Sequence, residues 1–363
     1  MRHTRNMGII RTDRKNVKSE LAGSGNYFVK RFLRFVFHFL LDIRPFLWFC
    51  FTGIIGNIYY IMLKENPDMN NQPIFRGVAT ALITPLSDSG VDYDRLGRVI
   101  DWQIGQGVNA LVIAGTTGEG STLDDEEHRA VVKYSVERVA HRVPVIAGTG
   151  SNDTAYACSL TRYCCDVGAD AMLVVTPYYN KATQKGLVTM FKTIADASTK
   201  PIILYNVPSR TGVNIEPSTY AALAGYPNIA AIKEANGNIS KIVEATALVG
   251  DKLDIYSGND DQIVPILAMG GQGVISVLSN VAPKLTVEIC NRFFRGDVAG
   301  AAKLQCELLP LINALFCEVN PIPVKAGMAA LGWCENYLRL PLTPMEPEHE
   351  ETLLALMRQH GLL

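Results

Sequence analysis

From residue 77 to residue 277 the chain alternates short apolar runs with longer amphipathic stretches. Eight runs have the length and the continuous apolar character of strands buried in a parallel sheet. They are Val78–Pro85, Ala110–Ala114, Val143–Gly148, Ala171–Thr176, Ile202–Val207, Ile229–Lys233, Leu253–Ser257 and Gly273–Val277. The stretches between them have a helical period, most clearly at Asp94–Gly107, Asp124–Ala140 and Asn152–Gly168. Each is long enough to connect two parallel strands by a right-handed crossover.

Eight such units predict an α/β fold, a closed (β/α)8 TIM barrel. The alternative is an open doubly wound sheet, but the chain lacks the glycine-rich phosphate turn expected after its first strand. Beyond the eighth strand, helices are predicted at Val287–Arg295, Val298–Leu315 and His349–His360, separated by prolines. We therefore expect a barrel domain at residues 69–298 and a C-terminal helical region at 299–363.

Residues 1–68 do not follow this pattern. They hold 11 Lys and Arg residues, 5 Asp and Glu residues, and an uncharged segment at 45–63 that is long enough for a membrane-spanning helix. The basic leader would keep the N-terminus cytoplasmic and place the barrel across the membrane. The alternatives are a secretory signal, a folded cytosolic element, or a translation start at Met69 that makes residues 1–68 a mis-assigned or dispensable extension.

Composition narrows the class of protein. Residues 69–363 hold 23 basic and 30 acidic residues, of the 34 and 35 in the whole chain, so no basic footprint for nucleic acid is expected. The eight cysteines form no C-x-x-C pair, and Cys164 and Cys165 are adjacent, which favours neither a disulfide framework nor a zinc site. Reduced thiols in a cytoplasmic enzyme are the expected state.

Lys233 stands near the end of the sixth apolar run, in I-A-A-I-K-E-A-N. Burial of a lysine disfavours its ammonium form, so the amine pKa falls and a neutral nucleophile becomes available. The catalytic interpretation is a Schiff-base lysine at the carboxyl end of a barrel strand. The alternative is a lysine that has left the strand and pairs with Glu234 or another acid.

Further candidates follow the other strands, where the catalytic residues of such barrels lie. G-T-T-G-E at Gly115–Glu119 offers N–H groups and hydroxyls to an anion such as a carboxylate, although an ordinary turn has the same composition. Tyr205 is a candidate for proton transfer, and the alternative is a packing residue. Arg210 is a candidate for binding a carboxylate, and the alternative is a solvated loop arginine. No H-x-H pair or acidic cluster stands at these ends, so a metal-dependent aldolase is not expected.

The motifs G-T-T-G-E, V-T-P-Y-Y-N, L-Y-N-V-P-S-R-T-G, I-K-E-A-N-G-N, Y-S-G-N-D and G-V-I-S-V, in this order, resemble the 4-hydroxy-tetrahydrodipicolinate synthase (dihydrodipicolinate synthase) family. The resemblance covers residues 74–363 and includes N-P-I-P-V-K at Asn320–Lys325. It implies condensation of pyruvate with L-aspartate 4-semialdehyde, in lysine and diaminopimelate biosynthesis. The alternative is another pyruvate- or 2-keto-acid-dependent lyase of the same superfamily, such as an N-acetylneuraminate lyase-like enzyme.

The resemblance also implies roles for individual residues. Lys233 matches the Schiff-base lysine, so no metal and no cofactor beyond this covalent imine is expected. Tyr205 matches the proton donor and acceptor, and Thr116 and Tyr179 match the other members of a proton relay, with the tyrosine supplied by a neighbouring subunit. The implied substrate-binding residues are Thr117, Ile275, Arg210 and Gly258.

The family resemblance further implies a homotetramer, built as a dimer of dimers. It favours a cytoplasmic location, because the semialdehyde is a cytosolic intermediate, and this conflicts with a membrane segment at 45–63. Some family members bind lysine in an interface pocket, and His128, Asn152 and Tyr178 match residues of that pocket. Gly120, Asp125 and Tyr156 differ from the residues found in that pocket. Because Tyr156 stands in place of an acid that would pair with the α-amino group of bound lysine, weak or absent feedback inhibition by lysine is expected.

Overall fold

Eight parallel strands close into a barrel at the centre of the structure, a computed structural model that describes residues 72–363. The strands, β1–β8, are Gly77–Ala81, Ala110–Ile113, Val145–Gly148, Ala171–Val175, Ile202–Asn206, Ile229–Glu234, Asp254–Ser257 and Gly273–Ser276. Each pairs with the next one along the chain, and β8 closes on β1. The predicted (β/α)8 barrel is confirmed. The segment 45–63 and the start at Met69 lie outside the described residues.

Eight helices, α1–α8, follow the strands in turn. They are Tyr93–Gly105, Asp125–Val139, Thr154–Asp166, Gln184–Asp196, Pro217–Leu223, Ile239–Val249, Ile263–Ala268 and Pro283–Phe294. A capping box begins α2: the Asp124 carboxylate accepts a hydrogen bond from the Glu127 N–H at 2.8 Å, and the Glu127 carboxylate accepts one from the Asp124 N–H at 3.2 Å. A short helix, Pro208–Thr211, lies in the loop after β5.

Three helices complete the chain: α9 at Val298–Ala314, α10 at Ile322–Ala330 and α11 at Pro347–Gln359. The pattern predicts α8, α9 and α11 but not α10, since Pro321 and Pro323 indicate a break. Pro321 is the N-cap and Pro323 lies in the first turn, where the helix needs no N–H donors. Helix α10 packs on α11 and on the turn after β8. The domain boundary at residue 298 stays a prediction.

Side chains on the strands alternate between the barrel interior and the layer beneath the helices. Ile203 and Ala231 belong to the interior cluster, whereas Leu204 and Ile232 pack in the outer one. This alternation directs Tyr205 on β5 and Lys233 on β6 into the barrel, at the carboxyl ends of their strands. Within residues 72–363, no helix has the length and apolar character needed to cross a bilayer.

Candidate active site

Lys233 lies inside the barrel at the end of β6, with 5% of its surface exposed. Its neighbours in the sheet register are Tyr205 on β5 and Tyr256 on β7. The Nζ atom is 4.2 Å from the centroid of the Tyr205 ring, within the range of a cation–π contact when the amine is charged. The alternative interpretation of the sequence requires a lysine that has left the strand. Lys233 is instead part of β6 and buried inside the barrel.

Glu234 follows Lys233 and points to the opposite side of the sheet. Its carboxylate accepts hydrogen bonds from the Tyr220 hydroxyl at 2.8 Å and from Asn206 Nδ2 at 3.0 Å. Burial raises the pKa of Glu234 to about 7, although these hydrogen bonds favour the charged form. Glu234 thus belongs to a buried polar network behind the strand and is engaged there rather than by Lys233.

A cavity of about 150 Å³ opens at the carboxyl end of the barrel. Six of the eight predicted site residues line it: Thr116, Thr117, Tyr205, Arg210, Lys233 and Gly258. Ile275 is buried in β8 and does not line this cavity, whereas Val277, two residues later, does. Tyr179 is 94% exposed and does not line this cavity. The structure brings together the six residues and leaves these two apart from them.

Gly258 follows β7 directly and packs against the lysine side chain. A Cβ atom at this position would lie 3.2 Å from Lys233 Cε and 2.7 Å from Ala235 Cβ. Both distances are too short for an unshifted side chain, so a glycine is needed here for the lysine to keep its place. This gives a physical reason for the glycine that the family resemblance implies.

Arg210 and Thr117 are connected through Asn320, which precedes α10 and also lines the cavity. Arg210 Nη2 donates to the Asn320 carbonyl oxygen at 3.1 Å, and Asn320 Nδ2 donates to Thr117 Oγ1 at 3.0 Å. The sequence pattern assigns no role to Asn320. Its motif, N-P-I-P-V-K, is the only signal, and it lies 203 positions from Thr117.

Asp260 is a second cavity neighbour without a predicted role, in S-G-N-D-D after β7. It is 1% exposed, and its Oδ2 accepts hydrogen bonds from the N–H groups of Val277 at 3.0 Å and Leu278 at 2.9 Å. Burial raises the pKa of Asp260, while Ser276, these N–H groups and the charge of Lys233 oppose the rise. The carboxyl therefore ties the turns after β7 and β8 together and interacts with the charge of the lysine.

A wider cavity of about 600 Å³ adjoins the first one and shares Thr116, Tyr205 and Arg210 with it. Its lining also includes Asp125, His128, Tyr156 and Tyr178. Burial lowers the pKa of His128. The next residue after Tyr178 is the exposed Tyr179, which has a φ of 66°, a left-handed conformation that is uncommon for a tyrosine.

Metal-binding and disulfide chemistry have few candidates in the described part of the chain. Among residues 72–363, no group of three or more His, Cys, Asp or Glu side chains is arranged to hold a metal ion. The seven cysteines of this part are free, and Cys164 and Cys165 are buried.

Comparison with known proteins shows the family of the chain. Residues 74–360 match the model of the dihydrodipicolinate synthetase family. A 4-hydroxy-tetrahydrodipicolinate synthase of Acetivibrio thermocellus is 53% identical over 292 residues, which cover 80% of this chain and 99% of that protein.

Solved structures give the same result. The dihydrodipicolinate synthase of Thermotoga maritima is 43% identical, with a TM-score of 0.79 over 80% of this chain and 100% of that one. The chloride-inhibited dihydrodipicolinate synthase of Acinetobacter baumannii, solved as a complex with pyruvate, is 42% identical, with a TM-score of 0.78 over 79% of this chain and 99% of that one.

Proposed function

Because the chain belongs to the dihydrodipicolinate synthetase family, we propose that it condenses pyruvate with L-aspartate 4-semialdehyde through an imine on Lys233. The product is 4-hydroxy-tetrahydrodipicolinate, an intermediate on the route to diaminopimelate and lysine. One observation carries the residue assignment: the buried Lys233 shares a small cavity with Tyr205, Thr116 and Thr117.

The first half of the reaction joins Lys233 to pyruvate. The neutral amine attacks the keto carbon, a proton is delivered to the carbonyl oxygen, and water leaves to give a protonated imine. The imine withdraws electrons, so a proton of the pyruvate methyl group can be removed to give an enamine. Tyr205, whose ring lies 4.2 Å from the lysine Nζ, is the group assigned to these proton transfers.

The second half joins the two substrates and frees the lysine. The enamine carbon attacks the aldehyde carbon of the semialdehyde, and the aldehyde oxygen takes up a proton to become the hydroxyl group. The amino group of the same substrate then attacks the imine carbon. Its bond to that carbon replaces the bond to Lys233 Nζ, the ring closes, and the lysine is regenerated as an amine.

Three residues are assigned to the substrate carboxylates, and one, Gly258, to the space around Lys233. Thr117 and the backbone at Ile275 are assigned to the pyruvate carboxylate, and Arg210 to the carboxylate of the second substrate. A guanidinium group has five N–H donors, so the single bond from Arg210 to the Asn320 carbonyl leaves donors for a carboxylate. Gly258 keeps the lysine and the reacting carbon free of steric hindrance.

The proton relay includes Tyr205, Thr116 and a Tyr179 from a second copy of the chain. Within one copy Tyr179 is 94% exposed, so its hydroxyl does not reach the cavity of its own barrel. The wide cavity beside it is lined by Thr116 and Tyr205, and a second copy covering this face would bring in its own tyrosine. A dimer, and a tetramer formed from two dimers, is therefore part of the proposal.

The cytoplasm is the proposed location of the enzyme. The seven free cysteines of the described part are consistent with a reducing compartment. The acceptor of the enamine is an amino-acid semialdehyde, which a cytoplasmic enzyme can receive directly.

Reductive trapping tests the proposal. The full chain is incubated with pyruvate and sodium borohydride, and its peptides are mapped by mass spectrometry. We expect a reduced pyruvyl adduct on Lys233, no adduct in Lys233→Ala, and pyruvate consumption that requires the semialdehyde. An adduct on another lysine would contradict the site, and consumption of pyruvate with a sugar aldehyde but not with the semialdehyde would contradict the substrate.

A further inference from the structure

Two residues that line the cavity, Phe316 and Asn320, come from outside the barrel, and Asn320 is the polar one. Asn320 lies between α9 and α10, is 5% exposed, and shares the cavity with Lys233 and Tyr205. The carboxyl ends of the barrel strands supply the catalytic residues of this fold. A polar side chain from the C-terminal region in the same cavity is an addition to that set.

Asn320 contacts Thr117 and Arg210, the two side chains assigned to the substrate carboxylates, but with different groups. Its backbone carbonyl oxygen accepts a hydrogen bond from Arg210 Nη2 at 3.1 Å. Its side-chain Nδ2 donates to Thr117 Oγ1 at 3.0 Å. A change of the side chain therefore removes the contact with Thr117 and leaves the chemical group that binds Arg210 in place.

The direction of the bond to Thr117 has a chemical consequence. A threonine hydroxyl has one proton to donate and two lone pairs to accept with. Because the amide nitrogen of Asn320 donates to Thr117 Oγ1, the hydroxyl acts as acceptor in this bond and keeps its proton. That proton is then available to a negatively charged ligand, and hydrogen bonds to charged groups are stronger than those between neutral groups.

The segment that carries Asn320 is fixed to the same loop at a second place. Lys325, on α10, forms a buried ion pair with Glu119, two residues after Thr117. Glu119 also accepts a hydrogen bond from the Arg339 N–H at 3.2 Å. The ion pair and this hydrogen bond thus hold the threonine loop and the C-terminal region together next to the bond between Asn320 and Thr117.

We infer that Asn320 is a positioning residue for pyruvate: its side-chain amide directs the Thr117 hydroxyl proton toward the substrate carboxylate. The inference rests on the proposed function, because it takes Thr117 as the pyruvate contact. It sets Asn320 apart from Arg210, which faces the second substrate. The side-chain amide of Asn320 therefore affects the binding of pyruvate through Thr117, and its backbone carbonyl affects the binding of the second substrate through Arg210.

The test compares two substrates in one set of variants. In Asn320→Ala, we expect the pyruvate concentration for half-maximal trapping on Lys233 to rise about tenfold. This is the effect of losing one hydrogen bond to a charged group, here from the Thr117 hydroxyl to the pyruvate carboxylate. In Asn320→Asp, the carboxylate would accept the Thr117 proton and repel the pyruvate anion, so a larger rise is expected. The KM for the semialdehyde should change by less than about twofold in Asn320→Ala, since the contact to Arg210 is made by the backbone.

A double variant separates positioning from general loss of structure. In a Thr117→Val background the hydroxyl is absent, so adding Asn320→Ala should raise the half-saturating pyruvate concentration by less than about twofold. Asn109→Ala is the matched control, since Asn109 Oδ1 accepts one hydrogen bond from the Val78 N–H, at 2.9 Å, at the opposite end of the barrel. It should leave pyruvate saturation unchanged.

The outcomes are distinguishable from failure of the proposed function. If the wild-type chain gives no adduct on Lys233, the proposed function itself fails. If the wild-type chain is trapped on Lys233 and Asn320→Ala saturates with pyruvate as the wild type does, only the role of Asn320 is overturned. Equal and additive losses for both substrates would overturn it as well, because they indicate a structural effect.

Discussion

The buried ion pair between Glu119 and Lys325 should be essential to the stability of the fold. The two side chains have 1% and 0% of their surface exposed, and the Lys325 Nζ also donates to the Tyr337 carbonyl oxygen at 2.8 Å. Burial lowers the pKa of Lys325, and the charge of Glu119 opposes that change. Each charge is therefore kept in the interior mainly by its partner.

Lys325→Met removes the ammonium group and keeps most of the side-chain volume. It leaves the Glu119 carboxylate buried with the Arg339 N–H as its remaining polar contact. Removal of one partner of a buried pair costs about 3–5 kcal/mol, because the other charge stays buried without compensation. The total free energy of unfolding of a protein is only about 5–15 kcal/mol, so the loss should be plain in denaturation.

Urea denaturation followed by tryptophan fluorescence is the appropriate assay. Trp102 on α1 and Trp333, just after α10, stack with their ring centroids 4.7 Å apart, so their emission reports whether the C-terminal region stays packed on the barrel. The matched control is the double variant Glu119→Gln/Lys325→Met, in which neither charge remains. It should recover about 2 kcal/mol or more relative to the sum of the two single losses.

The pH dependence of Glu119→Gln supplies a second check. Burial without the opposing carboxylate keeps the folded-state pKa of Lys325 below its unfolded value, so the unfolded chain binds more protons. Stability of this variant should therefore rise with pH toward the ordinary lysine pKa. A loss below about 1 kcal/mol in Lys325→Met, or additive losses in the double variant, would refute the reasoning.

Three further predictions concern the site and its surroundings. Tyr205→Phe should lower kcat about a hundredfold or more while thermal unfolding shows the fold intact, and near-wild-type turnover would remove Tyr205 from the proton relay. Glu234 has a folded-state pKa raised to about 7, so the stability that its protonated form provides is complete below its unfolded pKa and is lost as pH rises through the folded one. Between about pH 4.5 and about pH 7, the free energy of unfolding of the wild type should fall by about 3 kcal/mol relative to that of Glu234→Gln, measured by thermal or urea unfolding. Parallel pH profiles of the two proteins would contradict the assignment. Sub-millimolar L-lysine should leave the rate unchanged in a steady-state assay, because Tyr156 offers no carboxylate to the amino group, and strong inhibition would show that this pocket binds lysine by other contacts.

The barrel could be predicted from the sequence because each strand is buried on both sides. Ile202–Asn206 and Ile229–Glu234 are apolar except at their ends, where Tyr205 and Lys233 face the interior. Position at the strand ends singled out Lys233, Tyr205 and Arg210, and the family resemblance added Thr116, Thr117 and Gly258 of the same cavity. These are local signals, and parallel pairing of neighbouring strands converts them into a site.

The residues that escaped prediction depend on contacts between distant segments. Asn320 meets Thr117 across 203 positions, and nothing in the local pattern of either segment indicates the partner. Helix α10 was obscured by Pro321 and Pro323, which end helices in most contexts but here occupy the start of one. Asp260 was visible only as the first acid of the loop motif S-G-N-D-D, and its burial follows from the turn after β8 that it binds.

The central claim is that Lys233 forms an imine with pyruvate in the cavity of about 150 Å³. A crystal structure of the protein soaked with pyruvate tests it most directly. The account predicts continuous electron density from Lys233 Nζ to the keto carbon of pyruvate, with the carboxylate within hydrogen-bond distance of Thr117 Oγ1. Pyruvate bound without a covalent bond to Lys233, or bound in the wider cavity instead, would contradict it.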